Sequence, residues 1–381
     1  MNPSFNLYSV LMIIGLVQGL FLGTILLLQK RKNKTPNVIL AFLTYSIAFS
    51  CLGVTFLVTN YFEPGYYLYP FFAVTPATVG TLLYLYVKSL IIPNYGIKKL
   101  EWFHLLGIAV NLLILFTFYS YSVEEKHDLI LSILLGKPLT LERVSVAFRL
   151  SIRITYTLLA IRLLYLHRQK IKHFYSNLKL KNLKWLNNLL IMCFVIIPVL
   201  VLLRILGYNL EVVVFGAIYM GSVNYAIGYF FLKQPEIYSD LDEKDIVSGQ
   251  YEKSALKEEQ VPALKTDTIR LMENQKLYLD PGLSIKSVAT KLKVSTHVLS
   301  ELLNKYFNQN FHDFVNEYRI EEAKTRLKDY KYQNYTVLAI GLDVGFNSKS
   351  TFNSVFKKHT GITPSEYRSV HLQPVTAGIT S

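Results

Sequence analysis

The chain has 381 residues, of which 51% are hydrophobic and only 17% charged, and its mean hydropathy of +0.30 favours a membrane protein over a wholly soluble one. A formal charge of +14 is typical of a protein that binds nucleic acid or anionic lipid, or of one whose Lys and Arg residues set its orientation in a membrane. Two cysteines inside apolar runs exclude a disulfide framework and a zinc set. Since we find no paired carboxylates, nucleophile motif or phosphate loop either, we expect no enzyme and no cofactor.

Seven apolar stretches, each long enough to cross a bilayer core of roughly 30 Å, fill the first 232 residues. The first has no Lys or Arg before it and a basic cluster directly after it, which is typical of a retained span rather than a signal peptide. The sequence therefore predicts an all-α seven-span transmembrane bundle, with spans at residues 7–28, 37–59, 66–87, 102–121, 144–166, 185–206 and 210–232.

Lys and Arg are distributed unequally between the two ends of these spans. Twelve lie in the clusters at residues 30–34, 98–99 and 168–184, whereas the opposite side carries Lys126, Lys137 and Arg143 among several acidic residues. Cytoplasmic connections are the ones that carry excess Lys and Arg. We therefore expect a membrane protein with its N-terminus outside and everything after Leu232 in the cytoplasm. The longest outside connection, residues 122–143, is too short for a domain, so a signal must be read by the bundle or a partner.

Small and polar residues inside the spans predict close helix packing. Gly15, Gly19 and Gly23 form a small-residue stripe that lets two helices approach, either within the bundle or at the seam of a homodimer. Asn111 and Asn224 predict interhelical hydrogen bonds.

Three arginines in the spans are candidate ligand-binding residues. Arg149 and Arg153 share a helix face, and Arg204 lies near the outer end of the sixth span. An intramembrane Arg normally faces a cavity, a ligand or a carboxylate. These side chains therefore either reach to the interface, pair with an acid such as Glu211, or bind an anionic small-molecule or membrane signal.

The composition changes abruptly after Leu232. Residues 233–263 contain four Lys against eight Asp and Glu, which predicts a solvated acidic tether. A compact all-helical domain is expected over residues 264–370, followed by a tail over residues 371–381.

Apolar periodicity in this domain predicts two helix-turn-helix units. Residues 285–292 have apolar positions at i, i+3, i+4 and i+7, and a break at residues 293–295 leads to a second short helix. The pattern recurs about fifty residues later over residues 337–344 with a turn at residues 345–348, and residues 311–327 form an amphipathic linker helix. Two such units can enter successive major grooves, roughly 34 Å apart on double-stranded DNA.

Four motifs at this spacing resemble the DNA-binding domain of AraC-type transcription regulators. The resemblance covers residues 283–368, about a quarter of the chain, and implies major-groove readout by the second helix of each unit. The motifs are Ile285-Lys-Ser-Val-Ala-Thr-Lys-Leu-Lys-Val-Ser, Tyr318-Arg-Ile-Glu-Glu-Ala-Lys, Val344-Gly-Phe-Asn-Ser-Lys-Ser-Thr-Phe, and Phe356-Lys-Lys-His-Thr-Gly-Ile-Thr-Pro-Ser-Glu-Tyr-Arg.

By position, the resemblance implies two sets of base-reading residues. The family often has Arg where this chain has Glu301 and Ser354, so two contacts to guanine are unavailable. Glu301 can accept from cytosine, Asn353 can pair with adenine, and Lys349 can contact guanine or phosphate. The first set is Ser295, Thr296, His297, Ser300 and Glu301, and the second is Asn347, Ser348, Lys349, Ser350, Asn353 and Ser354.

The spans and the resemblance together predict a membrane-bound one-component transcription regulator of the bacterial inner membrane. Double-stranded DNA and the lipid bilayer are its expected partners, and dimerisation is one way to raise its DNA affinity. The charge supports DNA binding moderately, because residues 265–368 carry 16 Lys and Arg against 11 Asp and Glu. One alternative is a transporter that reports its substrate load, but Pro70, Pro76 and Pro198 show no paired arrangement between halves. Another is a receptor that signals through protein contacts alone.

The charge asymmetry yields a direct test of topology. Reporter fusions placed after Leu232 should be active as cytoplasmic fusions, and fusions within residues 122–143 should behave as external, because Lys and Arg are retained on the cytoplasmic side. Matched fusions to both sites, normalised to protein level, make the measurement. An external signal from the C-terminal fusion would contradict the topology.

Overall fold

The computed structural model describes residues 5–29, 34–59, 61–92, 95–137, 140–178, 183–233 and 256–371. This part of the chain is helical and contains no β-strand beyond one isolated bridge, so the all-α prediction is confirmed. The chain forms two compact units. The first comprises Met1–Tyr165 and Leu183–Pro235, and the second comprises Leu166–Asn182 and Glu236–Ser381.

The first unit is a bundle, here called the helical bundle. Among the described residues, seven helical stretches are long and apolar enough to cross a membrane, as predicted. One of them, Tyr66–Ile91, combines two successive helices. The helices are α1 Leu7–Leu28, α2 Thr35–Val58, α3 Phe62–Ala73, α4 Thr75–Ile91, α5 Leu106–Phe116, α6 Val123–Leu134, α7 Thr140–Ile171, α8 Lys184–Ile205 and α9 Asn209–Lys233. The residues of α7 from Leu166 onward belong to the second unit.

Two apolar stretches depart from single regular helices. The third breaks at Val74, because Pro76 in the first turn of α4 has no N–H to donate and cannot continue α3. The fourth begins as a 3-10 helix, Lys99–Leu105, before α5. The helix α6 occupies the connection between α5 and α7, and Ser122 caps it reciprocally with Glu125.

The glycine stripe of α1 packs against helices of its own bundle. A Cβ atom on Gly23 would lie 2.3 Å from the ring of Tyr45 on α2, and one on Gly15 would lie 3.8 Å from the Cα of Gly221 on α9. One on Gly19 would lie 2.9 Å from the Cβ of Ala48 on α2. The stripe therefore serves internal packing, the first of the two alternatives.

The two buried asparagines of the predicted spans differ in their contacts. Asn111 donates from Nδ2 to the Oγ of Ser145 at 3.2 Å, which confirms a hydrogen bond between α5 and α7. Asn224 is fully buried, and neither polar atom of its side chain has a hydrogen-bond partner among the described residues. The prediction for Asn224 was wrong. A Cβ atom on Gly19 would lie 2.8 Å from the Asn224 Nδ2, so α1 presents to this amide a glycine, which has no side chain to bond with.

The second unit contains both predicted helix-turn-helix pairs. Residues 234–255, most of the predicted tether, and the tail at residues 372–381 lie outside the described residues. Leu256 is buried in the core of this unit. Its helices are α10 Val261–Gln275, α11 Ile285–Leu292, α12 Thr296–Tyr306, α13 Phe311–Lys328, α14 Val337–Asp343, α15 Lys349–Thr360 and α16 Pro364–His371.

The linker helix α13 joins two separate hydrophobic cores. Its first half packs with the α11–α12 pair and its second half with the α14–α15 pair, so one rigid helix fixes both pairs. The buried residues of the first half include Phe311, Phe314 and Val315, and those of the second half are Ile320, Ala323 and Leu327.

Candidate nucleic-acid interface

The first reading helix, α12, buries one face and leaves the other open to solvent. Leu299, Leu302 and Leu303 are buried in the core, whereas His297 and Ser300 are half-buried on the remaining surface. The cap residue and Thr296 have structural contacts instead. The Ser295 hydroxyl accepts the N–H of Val298 at 3.2 Å, and Thr296 is buried.

Glu301 is held by a neighbour on its own helix. The Lys305 ammonium donates to Glu301 at 2.5 Å, and the pair raises the pKa of Lys305. The Glu301 side chain is 9% exposed and that of Lys305 is 58% exposed. The exposed charge on this part of α12 is therefore the cation, a candidate phosphate contact that the sequence analysis missed although the i, i+4 Glu–Lys spacing signals it.

The second reading helix, α15, has its predicted residues on its open surface. Phe352 and Phe356 fill the core, and Ser348 caps the helix by accepting the N–H of Thr351 at 3.3 Å. A helix start of this kind offers backbone N–H groups to phosphate. Of the predicted residues on this helix and its turn, Asn353 is half-buried, and the exposed ones are Asn347, Lys349, Ser350 and Ser354.

The last turn of α15 adds exposed positive charge outside the two predicted sets of base-reading residues. Lys357, Lys358 and His359 are all exposed there. Lys358 lies 3.9 Å from Asp313. The hydrogen bond from His312, together with Lys358, holds the pKa of the Asp313 carboxyl well below its usual range, so Asp313 remains an anion beside this cluster.

Arg319 on α13 is a buried hydrogen-bond donor to two other segments of the second unit. It is 1% exposed, and its Nε donates to the carbonyl of Tyr278 at 2.7 Å. Its Nη2 donates to the carbonyl of Asp280 at 2.8 Å and to the Ser176 Oγ at 3.2 Å. Burial lowers the pKa of Arg319 to about 10, so it stays charged at neutral pH. Sequence reasoning missed this residue, because its carbonyl partners have no side-chain signature.

Ser176 belongs to residues 171–176, here called the docking segment, which begin with the last residue of α7 and lie within the second unit. Two of its carbonyls accept N–H groups from helix starts. Phe174 accepts from Ile285 at the start of α11, and Lys172 accepts from His312 in the first turn of α13, each at 2.9 Å. The first N–H groups of a helix have no partner within it, so the docking segment satisfies two of them.

The docking segment also completes the first hydrophobic core. Ile171, Phe174 and Tyr175 are buried in the same cluster as the residues of α11 and α12. Ser176 donates both its N–H and its hydroxyl to the Leu283 carbonyl, at 3.3 and 2.7 Å. The first helix-turn-helix unit is therefore built partly from residues that precede it by more than a hundred positions.

The three candidate arginines lie in the other unit, where Arg149, Arg153 and Arg204 line one cavity inside the helical bundle. The acid that pairs with Arg149 is Glu142, at 2.7 Å. Glu211, the acid suggested by the sequence, is exposed.

Comparison with known proteins identifies the C-terminal domain. A family model described as "Helix-turn-helix domain" matches residues 288–369. The probable transcription factor PqrA of Proteus vulgaris is 29% identical over 110 residues, covering 29% of this chain and 87% of that protein. The melibiose operon regulatory protein of Escherichia coli is 28% identical over 94 residues, which are 25% of this chain and 30% of that protein.

A crystal structure of an AraC-type DNA-binding-domain protein from Chromobacterium violaceum is 28% identical, with 30% of this chain and 96% of that chain covered and a TM-score of 0.27. Several further relatives are matched over a third of their length or less, among them the HTH-type regulator YijO of Escherichia coli at 32%. Residues 288–369 are a helix-turn-helix domain, and the relatives they match are transcription regulators, which supports DNA binding by this part of the chain.

Two candidate residues of α15 are expected to make different kinds of DNA contact, Lys349 with phosphate and Asn353 with a base. Lys349→Ala should weaken binding to all sequences and lower the slope of log affinity against log salt by about 1, because one phosphate contact is lost. Asn353→Ala should cost about 1–3 kcal/mol at one base position and relax the preference there.

The measurement is binding of the purified protein to a selected genomic fragment over a salt series, with Arg270→Ala, an exposed arginine on α10, as the charge-matched control. Equal losses for Arg270→Ala and Lys349→Ala, or no base preference in the parent protein, would contradict readout by α15.

Proposed function

We propose that this protein is a one-component transcription regulator of the bacterial inner membrane. In this proposal the helical bundle lies in the lipid bilayer and controls the DNA-binding unit in the cytoplasm. The apolar helices and the excess of Lys and Arg on one side support the membrane location. The helix-turn-helix domain supports regulation through DNA.

The docking segment is the observation that carries the proposal. The apolar helix α7 continues without interruption to Ile171, and the next residues cap α11 and α13. A tether alone would connect a DNA-binding domain to a membrane without contributing to its core. Here the end of an apolar helix supplies both core side chains and hydrogen-bond acceptors to the first helix-turn-helix unit.

This arrangement gives a physical route for control. Withdrawal of the docking segment leaves the N–H groups of Ile285 and His312 and one donor of Arg319 without their partners. A buried polar group without a partner is costly, so the unit has distinct docked and undocked states. A change in the position of α7 shifts the balance between these states and thereby the geometry of the two reading helices.

A test of this function maps DNA bound in cells. The full-length protein, crosslinked and recovered from the membrane fraction, should enrich discrete genomic fragments. The double variant Lys349→Ala/Asn353→Ala should reduce that enrichment by about tenfold or more at equal protein level, because phosphate and base contacts are both removed.

Recovery of the protein from the soluble fraction would contradict the membrane location. Enrichment that the double variant leaves unchanged, or no enrichment at all, would contradict DNA regulation and favour a receptor that acts through protein contacts.

A further inference from the structure

A cavity of about 360 Å³ lies inside the helical bundle. Its volume falls in the range of small-molecule sites, which are mostly apolar concavities with a few placed polar groups. Residues of α2, α3, α4, α6, α7, α8 and α9 line it. Seven elements of one unit thus converge on a single internal space.

The charged groups on its wall are three arginines and one glutamate. Arg149 and Arg153 are 6% and 7% exposed, one helical turn apart on α7, and Arg204 is half-buried on α8. Only Arg149 is paired with the Glu142 carboxylate. A guanidinium does not lose its proton in a protein, so these four groups carry two net positive charges.

Two guanidinium nitrogens on this wall have no hydrogen-bond partner among the described residues, namely Nη1 of Arg149 and Nε of Arg153. The other contacts of the cavity arginines to backbone are long, at 3.5 Å from Arg153 to the Cys193 carbonyl and 3.3 Å from Arg204 to the Ile133 carbonyl. A buried cation without a partner is strongly unfavourable. An anion in the cavity would satisfy both free donors.

Most of the remaining wall is apolar, with Phe72, Val79, Ile197 and Met220 among its residues. An inorganic anion satisfies the arginines but leaves this surface uncovered. A molecule with one acidic headgroup and an apolar body matches both parts of the wall, and a carboxylate fits the planar donor fork of Arg.

We infer that the bundle cavity binds an amphipathic monocarboxylate of the fatty-acid class, with its carboxylate between Arg149 and Arg153 and its chain against the apolar wall. The same helix, α7, bears both arginines and leads into the docking segment. That this ligand is the regulatory signal rests on the proposed function, whereas its binding does not.

The test measures binding of decanoate to the full-length protein in nanodiscs of zwitterionic lipid, without DNA. Decanoate should bind, and decanol, which lacks the charge, should bind at least about tenfold more weakly. Arg153→Gln should weaken decanoate binding by about tenfold or more. Arg162→Gln, an exposed arginine of the same helix outside the cavity wall, should change it less than about twofold.

Arg204→Gln provides a second cavity variant if Arg153→Gln fails to fold, as judged by helix content and gel filtration. Weaker decanoate binding in either folded variant supports the site. Equal binding of decanoate and decanol, or equal effects of Arg162→Gln and the cavity variants, overturns it.

A separate arm replaces part of the lipid with phosphatidylglycerol. If this lipid occupies the cavity and decanoate binds in neither membrane, the headgroup belongs to a phospholipid and the inference is wrong. Because no DNA is present, failure here leaves the proposed DNA-binding function intact, and failure of DNA enrichment leaves the ligand site intact.

Discussion

The need of buried N–H groups for an acceptor governs how the DNA-binding unit is assembled. The helices α11 and α13 start at buried positions, and the carbonyls of Phe174 and Lys172 lie where those first N–H groups point. The buried guanidinium of Arg319 also needs hydrogen-bond acceptors, and one of them is the Ser176 hydroxyl. The first helix-turn-helix unit is therefore complete only with the residues that follow α7.

Local patterns predicted the fold well where local forces determine it. The apolar stretches predicted the seven helices of the bundle, and the periodicity at residues 285–292 predicted α11. The docking segment could not be found in this way, because the bond from Ser176 to Leu283 joins residues 107 positions apart and one partner is a backbone carbonyl. A carbonyl has no sequence signature, so only the tertiary structure reveals it.

The candidate sites show the same limit for charged residues. The spacing of Arg149 and Arg153 predicted a shared face, but the acid beside them is Glu142, two helical turns before Arg149, rather than Glu211. For the DNA-binding unit, the resemblance implied which helices enter the major groove, and that assignment stays a prediction. The resemblance could not show that Glu301 is paired with Lys305, which leaves the lysine as the exposed charge of that turn. Which acid pairs with which cation depends on the side-chain rotamers that the packing of the helices allows, and the sequence does not show these.

Hydrogen exchange at the amides of Ile285 and His312 measures most directly whether the docking segment is part of the DNA-binding unit. In the full-length protein in nanodiscs, both amides should be protected. Phe174→Asp should accelerate their exchange by about tenfold or more, because it expels the segment from the core. The amide of Val344, bonded within α14, should change by less than about twofold. Unprotected exchange at Ile285 and His312 in the parent protein would contradict the account.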